Sequence, residues 1–409
     1  MQADIDEQVR VIMNGADLGD TDLKNAMETA LRERLVECRK EGRPLRVYTG
    51  YDPTNPDLHL GHSITLRKMR QFQDFGHEVY FVIGSFTALV GDTSDKLSGR
   101  PRKTTEEVTA AMESYVDQGL RILDREKTKV VYNGDWLSKL PLSEFISVAS
   151  YFTVQQFIVR DNFRKRLDRQ DSIGLHEFFY ALLQAYDALH LKTDVQLGAT
   201  EQLFNIMAGR KLQTAHGIPP SICITFPVLV GTDGKSRMSK SERNYVGIAE
   251  PPTEQYGKTM SISDETMLNW IKYVTRWPPE KIGEYTDLVR NNKTNPMEIK
   301  KKLAWEIVSL YHGDNAADHS QAHFEQIHQQ RKRPDDIKVV ELVQPIGIVE
   351  ALTDVAKVKS RSEARRLIEG GGVRLDGETV ISIDAKISKS VLLRVGKRRF
   401  FDIVIAESS

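Results

Sequence analysis

The 409-residue sequence contains only two cysteines, Cys38 and Cys223, and they lack the spacing of a Cys-x-x-Cys pair. This scarcity excludes a disulfide scaffold, a zinc ribbon and thiol redox chemistry, and it fits a reducing cytoplasm. No stretch approaches the roughly 20 apolar residues that span a bilayer. The amino terminus also lacks the basic segment followed by an apolar run that a signal peptide requires. We therefore expect a cytoplasmic protein with no membrane partner.

Neither sign of charge is in excess, because 57 basic residues balance 57 acidic ones. No global field therefore draws the protein to nucleic acid or anionic lipid, and any contact with RNA must use local patches. The hydrophobic content of 40% can bury a substantial core. At roughly 150 residues per domain, the length predicts two or three domains, and we expect three.

The first predicted domain, residues 1–245, has the α/β pattern of a parallel sheet. Strands are predicted at 45–51, 77–84, 194–197 and 222–230. A helix from about Ser63 to Phe75 joins the first two strands, as in a strand–helix–strand unit. Helical patterns fill most of the span 103–191, which predicts a helical insertion between two halves of one sheet.

Two further domains are expected after residue 245. A helical pattern that starts at Ser263 predicts an α-helical domain over 246–335, which ends in a polar, linker-like stretch at 331–336. Within this domain Ser263 is a predicted helix cap, and Asn295-Pro296 predicts the start of another helix at Met297. Residues 336–409 predict a small α+β domain with late strands at 391–395 and 400–404.

The first chemical motif is His59-Leu60-Gly61-His62, which stands directly ahead of a predicted helix. Free backbone N–H groups and the helix dipole favour phosphate at such a place, and Gly61 permits close approach. The alternative is an ordinary turn with two exposed histidines, and the residues alone leave both interpretations open. A zinc site is disfavoured, because no third ligand lies at a recognisable spacing.

The second motif is the loop Gly234-Lys235-Ser236-Arg237-Met238-Ser239-Lys240-Ser241 after a predicted strand. Its three cations and three hydroxyls could fold over a triphosphate and neutralise the charge that builds on departing pyrophosphate. A solvated basic loop is the commoner fate of such a run. The occurrence of both motifs in one chain favours the phosphate interpretation.

The two motifs resemble the HIGH and KMSKS signatures of class I aminoacyl-tRNA synthetases. The string Tyr48-Thr49-Gly50-Tyr51-Asp52-Pro53-Thr54 resembles the tyrosyl members, and the likeness extends over nearly the whole chain. It implies a Rossmann-type catalytic domain, ATP as a substrate with Mg2+, and tyrosine and tRNA(Tyr) as partners of a homodimer. A tryptophanyl-tRNA synthetase and a synthetase-like RNA-binding protein with reduced or lost catalysis are the alternatives.

Tyr180, Gln184 and Asp187 lie on one face of a predicted helix, and their spacing alone favours a solvated face over a pocket. The resemblance instead implies a tyrosine pocket made of Tyr48, Thr87, Asp92, Tyr180, Gln184, Asp187 and Gln202. In it Asp92, Tyr180 and Gln184 would hold the ammonium group. Tyr48 and Asp187 would bind the phenolic hydroxyl.

The same resemblance implies catalysis by positioning and charge stabilisation, with no side chain acting as a nucleophile or base. The implied catalytic residues are Thr54, His59, His62, Lys96, Arg100, Arg237 and Lys240. The implied ATP-binding residues are Gly50, Asp52, Gly61, Thr65, Gly198, Glu201 and Lys240. The chain departs from the family pattern at Thr93 for Pro, Ala199 for Gly, Glu201 for Asp and Arg237 for Lys.

A basic segment near the carboxyl end is the last candidate site. Arg361, Arg365 and Arg366 lie on a predicted helix over 360–368, and Lys397 and Arg398 follow Gly396. Such a helix is more often only a solvated surface. The segment 348–406, however, resembles a small RNA-binding domain shared by a ribosomal protein, pseudouridine synthases and bacterial tyrosyl-tRNA synthetases, which implies that these five residues bind tRNA.

Overall fold

The computed structural model describes residues 4–54, 57–94, 104–329, 337–342, 344–396 and 399–405. The chain packs into two compact units, Met1–Gln321 and Ala322–Ser409. Each unit has a hydrophobic core of its own. Among the described residues, no helix is both long enough and apolar enough to cross a bilayer. The linker predicted at 331–336 lies outside the described residues.

A five-stranded sheet forms the centre of the first unit. Its strands are β1 Arg46–Tyr51, β2 Glu78–Ile83, β3 Thr128–Tyr132, β4 Val195–Ala199 and β5 Ile222–Phe226. Their order is β3-β2-β1-β4-β5, and every neighbouring pair is parallel. All five residues of β5 are buried, as expected for a strand that is covered on both faces. The parallel α/β fold predicted from the sequence is confirmed.

Two details of the predicted sheet are wrong. The strand expected over 222–230 ends at Phe226, because Pro227 follows and has no N–H group for a sheet hydrogen bond. The span 103–191, expected to be helical, contains the edge strand β3. Its sequence Thr-Lys-Val-Val-Tyr is rich in β-branched and aromatic residues, and it pairs with β2.

Helices surround this sheet. Those before the span 103–191 are α1 Ile5–Met13, α2 Thr21–Glu41, α3 Leu60–Asp74 and α4 Thr87–Val90. The inserted helices, within that span, are α5 Thr105–Gly119, α6 Gly134–Leu137, α7 Leu142–Ser150, α8 Val154–Ile158, α9 Asp161–Asp168 and α10 Leu175–Leu191. A 3-10 turn, Thr200–Gln202, leads into α11 Leu203–Ala215. Helix α3 begins three residues earlier than predicted, because His59 caps it.

The strand order places a crevice beside β1. The chain runs from β1 to β2 and β3 on one side, and then returns to β4 and β5 on the other side. At such a switch point the connections leave the sheet in opposite directions, so a crevice opens outside the carboxyl ends of the central strands. Here those ends are Tyr51 of β1 and Ala199 of β4.

A group of helices completes the first unit. These are α12 Pro252–Met260, α13 Asp264–Val274, α14 Pro279–Arg290, α15 Pro296–His312 and α16 Asp314–Phe324. The predicted cap Ser263 is confirmed, since it accepts from the Thr266 N–H. The helix predicted to start at Met297 begins at Pro296, where Asn295 caps it by accepting from the Met297 N–H. The predicted start of this group at Ser263 is too late, since α12 precedes it with Pro252 at its first position.

The second unit is the predicted small α+β fold. After a π-helical turn, Glu325–Gln329, its helices are α17 Ile348–Asp354 and α18 Arg361–Glu369. Its strands are β6 Lys338–Leu342, β7 Ile346–Gly347, β8 Val373–Leu375, β9 Glu378–Thr379, β10 Lys386–Ile387, β11 Val391–Val395 and β12 Arg399–Ile405. They form one sheet of order β6-β12-β11-β8-β9 and a two-stranded sheet of β10 and β7.

Candidate active site

A cavity of about 540 Å³ opens at the switch point of the parallel sheet. Its walls include the residues predicted to bind tyrosine: Tyr48, Thr87, Asp92, Tyr180, Gln184, Asp187 and Gln202. The described residues predicted to bind ATP or to act in catalysis also line it: Gly50, Asp52, Thr54, His59, Gly61, His62, Thr65, Gly198, Glu201, Arg237 and Lys240. Lys96 and Arg100 lie outside the described residues.

A buried carboxylate, Asp187, forms one end of the cavity with only 3% of its surface exposed. The solvated face that helical spacing alone favoured for this residue is therefore wrong. Asn133 Nδ2 donates to one carboxylate oxygen at 3.1 Å, and Trp136 Nε1 donates to the other at 2.8 Å. Burial raises the pKa of Asp187 to about 7, against the effect of these two donors.

Asn133 and Trp136 were not predicted as site residues. Asn133 directly follows β3, and Trp136 lies in the short helix α6. Because this strand was missed in the sequence, nothing placed residues after it at the carboxyl edge of the sheet. The sequence feature that could have indicated these two residues is the turn Asn133-Gly134, which comes shortly after an apolar pair, Val130 and Val131.

Tyr48 lies on β1 beside this end of the cavity and is almost fully buried. Its hydroxyl donates to Gln196 Oε1 of β4 at 3.2 Å, and Gln196 Nε2 in turn donates to the Ile206 carbonyl at 3.0 Å. Burial raises the pKa of Tyr48 well above its usual value, so the hydroxyl keeps its proton. Gln196 is a further residue that sequence reasoning missed.

Acceptors that would suit an ammonium group lie next along the cavity. Asp92 accepts from Gln202 Nε2 at 2.6 Å and from the Ser94 hydroxyl at 2.6 Å. The side-chain oxygen of Gln184 is buried and has no hydrogen-bond partner among the described residues. A buried acceptor without a donor is costly, unless a ligand supplies one.

Asp52 holds two side chains of the predicted tyrosine pocket. One of its carboxylate oxygens accepts from the Thr87 hydroxyl at 2.7 Å, and the other accepts from the Tyr180 hydroxyl at 3.0 Å. Gly84 leaves room for this arrangement, since a β-carbon there would lie 2.0 Å from the Asp52 carboxylate. The residue predicted to bind ATP thus fixes two residues that were predicted to bind tyrosine.

The two motif histidines cap helix α3. The Gly61 N–H donates to His59 Nδ1 at 3.1 Å, and the His59 N–H donates to His62 Nδ1 at 3.1 Å. Each Nδ1 is therefore an acceptor, which leaves Nε2 as the protonated nitrogen of a neutral ring. Burial lowers the pKa of His62 to about 4 and that of His59 well below its usual value. Near neutral pH both rings can donate a hydrogen bond without adding charge.

The basic loop 234–241 follows β5, at the opposite edge of the sheet from β3, and lines the opposite end of the cavity. Asn244 Nδ2 donates to the Arg237 carbonyl at 2.9 Å, and its Oδ1 accepts from the Ser239 N–H at 2.8 Å. Lys240 therefore points inward, with 17% of its side chain exposed and Nζ 3.4 Å from Asp57 Oδ2. Its Nζ is buried, and its contact with Asp57 is long for a hydrogen bond. This end of the cavity thus presents a cation that can bind further acceptors from a ligand.

In the second unit, helix α18 buries Ala364 and Ile368 and leaves its three predicted arginines, Arg361, Arg365 and Arg366, exposed. None of these arginines forms an ion pair with a described carboxylate. Exposed guanidinium groups without acidic partners suit contacts to a phosphate backbone. Lys397 and Arg398, predicted to act with them, lie outside the described residues.

The chain matches two protein-family models. The model for class I tRNA synthetases of the W and Y group covers residues 40–329. The S4 domain model covers residues 353–382. The first match alone spans more than half of the chain and includes every residue named above as lining the cavity.

Curated relatives resemble the chain from end to end. The tyrosine–tRNA ligase of Thermotoga maritima is 42% identical over 93% of this chain and 95% of its own length. That of Aquifex aeolicus is 41% identical over 98% of this chain and 99% of its own length. That of Haemophilus influenzae is 43% identical over 93% of this chain and 95% of its own.

Solved structures of lower identity share the fold. A tyrosyl-tRNA synthetase of Archaeoglobus fulgidus complexed with L-tyrosine has a TM-score of 0.60 and 23% identity, and the match covers 78% of this chain and all of that one. A truncated mitochondrial tyrosyl-tRNA synthetase of Aspergillus nidulans has a TM-score of 0.61 at 21% identity, over 79% of this chain and 94% of that one. The family model and the relatives of higher identity show that the chain belongs to the class I tRNA synthetases of the W and Y group, as a tyrosine–tRNA ligase.

Proposed function

We propose that the cavity joins tyrosine to ATP and that the enzyme then transfers the tyrosyl group to the 3' end of tRNA(Tyr). The observation that carries this proposal is the polarity of the cavity. One end holds the buried carboxylate of Asp187, and the other holds the ammonium group of Lys240, which is paired with the partly exposed Asp57. Tyrosine with ATP is a substrate pair that needs an acceptor at one end and cations at the other.

The tyrosine ring is proposed to enter at the Asp187 end. Its phenolic hydroxyl would donate to Asp187, whose oxygens are already oriented by Asn133 and Trp136. Its ammonium group would donate to Asp92 and to the unpartnered oxygen of Gln184. A site built this way rejects phenylalanine because the buried carboxylate of Asp187 would lose one of its hydrogen-bond donors, and this enzyme class is itself the standard example of such discrimination.

ATP is proposed to lie along the motif loops. A carboxylate oxygen of tyrosine attacks the α-phosphorus in line, the bond to the bridging oxygen of the β-phosphate breaks, and pyrophosphate leaves with that electron pair. Lys240 and Arg237 neutralise the charge that builds on pyrophosphate, while neutral His59 and His62 donate hydrogen bonds without holding the product. Gly61 must stay small, because a β-carbon there would lie 3.0 Å from the His59 ring.

Mg2+ is proposed to arrive with ATP as part of the substrate. No group of three or more His, Cys, Asp or Glu side chains in the described part of the chain could hold a metal ion. A hard cation bound mainly by phosphate oxygens needs few protein ligands. The residues present therefore suit magnesium carried on the triphosphate.

ATP–pyrophosphate exchange, run with each standard amino acid in turn, tests this function. Tyrosine alone should support exchange, because only tyrosine offers a hydroxyl donor that reaches Asp187. Exchange with tryptophan would identify a tryptophanyl-tRNA synthetase. Absence of exchange with every amino acid would favour a synthetase-like RNA-binding protein.

We also propose that the chain divides its work among the domains 1–245, 246–335 and 336–409. Adenylate formation belongs to the first, whereas tRNA binding depends on the last. Deletion of all residues after Gln344 should therefore leave exchange within about twofold of the full chain and lower tRNA charging by at least tenfold. Charging of tRNA(Tyr) at subsaturating RNA measures the second effect.

A second variant shows whether a loss of charging arises only because the truncated chain misfolds. Replacement of Arg361, Arg365 and Arg366 by Gln should impair charging in the same direction and flatten its salt dependence, because fewer phosphate contacts release fewer counterions. Equal losses of exchange and charging in both variants would contradict the proposed division.

A homodimer is proposed from the apolar surface of the inserted helices. Leu142 of α7 is 73% exposed, Val154 of α8 is 61% exposed, and Val159 and Leu175 are 66% and 68% exposed. Large exposed apolar side chains are typical of protein interfaces, and a second copy is the partner that the family resemblance implies. A reducing cytoplasm is proposed as the compartment, because both cysteines are buried and form no disulfide.

A further inference from the structure

Both inward-facing cations of the loop 234–241 have a carboxylate partner on the cavity wall. Lys240 Nζ lies 3.4 Å from Asp57 Oδ2, which precedes the first histidine motif. Arg237 Nη1 lies 3.7 Å from Glu201 Oε1, at the carboxyl end of β4. The loop therefore meets two different walls of the cavity through opposite charges. These are the cations proposed to receive the phosphates of ATP.

We infer that Asp57 is a positioning residue that takes the place of a phosphate group in the nucleotide-free enzyme. It holds Lys240 over the cavity until ATP arrives, and the triphosphate then displaces it. Glu201 does the same for Arg237. This inference rests on the proposed role of Lys240 and adds to it a residue that neither the two motifs nor the tyrosine pocket includes.

The exposures of the paired groups suit such an exchange. Asp57 is 43% exposed, whereas Lys240 is 17% exposed. The carboxylate can therefore return to water when it leaves, while the ammonium group stays in the cavity. An ion pair of this length with one solvated partner is weak, so a triphosphate of higher charge can replace it.

The loop does not depend on Asp57 for its shape. The Met238 N–H donates to the Leu229 carbonyl at 2.7 Å, and the Gly231 N–H donates to the Ser236 carbonyl at 2.8 Å. Met238 itself is buried. Removal of the Asp57 charge should therefore release Lys240 without opening the loop, so its effect is on ATP and not on folding.

The carboxylate also opposes ATP directly. Before binding, Asp57 competes for the same ammonium group, and after binding it lies near the phosphates and repels them. Both effects weaken ATP binding in the ground state. The benefit is a Lys240 that is already placed when ATP enters, although burial without a partner would favour its neutral form. Burial lowers the pKa of Lys240, and Asp57 opposes that shift.

The variant Asp57→Asn tests this role. The KM for ATP in tyrosine-dependent exchange, and the dissociation constant of ATP by calorimetry, should each fall about three- to tenfold. The fall in KM should exceed any change in kcat, and the KM for tyrosine should stay the same. Glu242→Gln is the matched control, because Glu242 is an exposed acid of the same region that does not line the cavity.

A double variant shows whether Asp57 acts through Lys240. In a Lys240→Gln background, Asp57→Asn should tighten ATP binding clearly less than in the unmodified enzyme, because only the direct repulsion of the phosphates remains to be removed. If Asp57→Asn tightened ATP binding equally in both backgrounds, or if Glu242→Gln tightened it too, the effect would come from overall charge. Either result would overturn the inference. A higher KM for ATP with an altered magnesium requirement would make Asp57 a metal ligand and overturn it too. Absence of tyrosine-dependent exchange in the unmodified enzyme would instead contradict the proposed function.

Discussion

Replacement of Asp187 by Ala is expected to lower kcat/KM for tyrosine by at least about a hundredfold, or roughly 3 kcal/mol. Asp187 would no longer accept from the substrate hydroxyl. Asn133 and Trp136, which now donate to it, would lose their acceptor as well. The loss therefore includes two buried donors in addition to the substrate contact. Steady-state exchange kinetics over a range of tyrosine concentrations measures it.

Asp187→Asn should lower kcat/KM for tyrosine almost as much, although it preserves the size of the side chain. Both carboxylate oxygens accept a hydrogen bond, so an amide would set its NH2 group against the N–H of either Asn133 or Trp136. Asp135→Ala is the matched control, since Asp135 lies between these two donors in sequence but is exposed. Binding of tRNA should be unchanged in every variant. Wild-type tyrosine kinetics in Asp187→Ala would refute the assignment of the phenol end.

The core of the fold could be read from the sequence because its elements are locally marked. The strands β1 and β2 are rich in β-branched and aromatic residues and lie on either side of a helix that Gly76 ends, and Asn295-Pro296 marks the start of α15. The edge strand β3 has similar residues, but it is short and lies among charged helical segments. Its local preference is therefore a weak signal, and its pairing with β2 decides that it is a strand.

The candidate site likewise contains residues that the sequence marks and residues that it does not. The two motif loops were identified because their residue types are unusual, and both line one cavity. Asn133, Trp136 and Gln196 were missed because an isolated amide or indole is not unusual in a sequence. Their importance comes from what they contact, which only the folded chain brings within reach. The pairing of Glu201 with Arg237 was hidden for the same reason.

The contact between Glu201 and Arg237 also changes the interpretation of the departures from the family pattern. Taken one at a time, Glu201 suggests weaker contact with ATP and Arg237 suggests altered geometry. In the folded chain they face each other at 3.7 Å across the cavity. The longer acid and the longer, forked base therefore form one combined change, and neither alone is evidence for lost catalysis.

Replacement of Lys240 by Ala is expected to lower kcat for tyrosine-dependent exchange by about 100- to 1000-fold. Its ammonium group lies inside the cavity, and its ion pair with Asp57 is one that the phosphates can displace, so its charge becomes available to the pyrophosphate leaving group. Because that charge develops mainly in the transition state, the KM for tyrosine should change little. Single-turnover formation of tyrosyl-adenylate measures the effect without interference from later steps.

Lys235→Ala is the matched control for Lys240→Ala. Lys235 belongs to the same loop and carries the same charge, but it is exposed and does not line the cavity. Its removal should change kcat by less than about threefold, as expected for a solvated charge. Tyrosine binding by calorimetry should be unchanged in both variants, because Lys240 lies at the opposite end of the cavity from Asp187. If the two lysine variants lost activity equally, the loop would act through its overall charge, and the placement of Lys240 against the leaving group would be wrong.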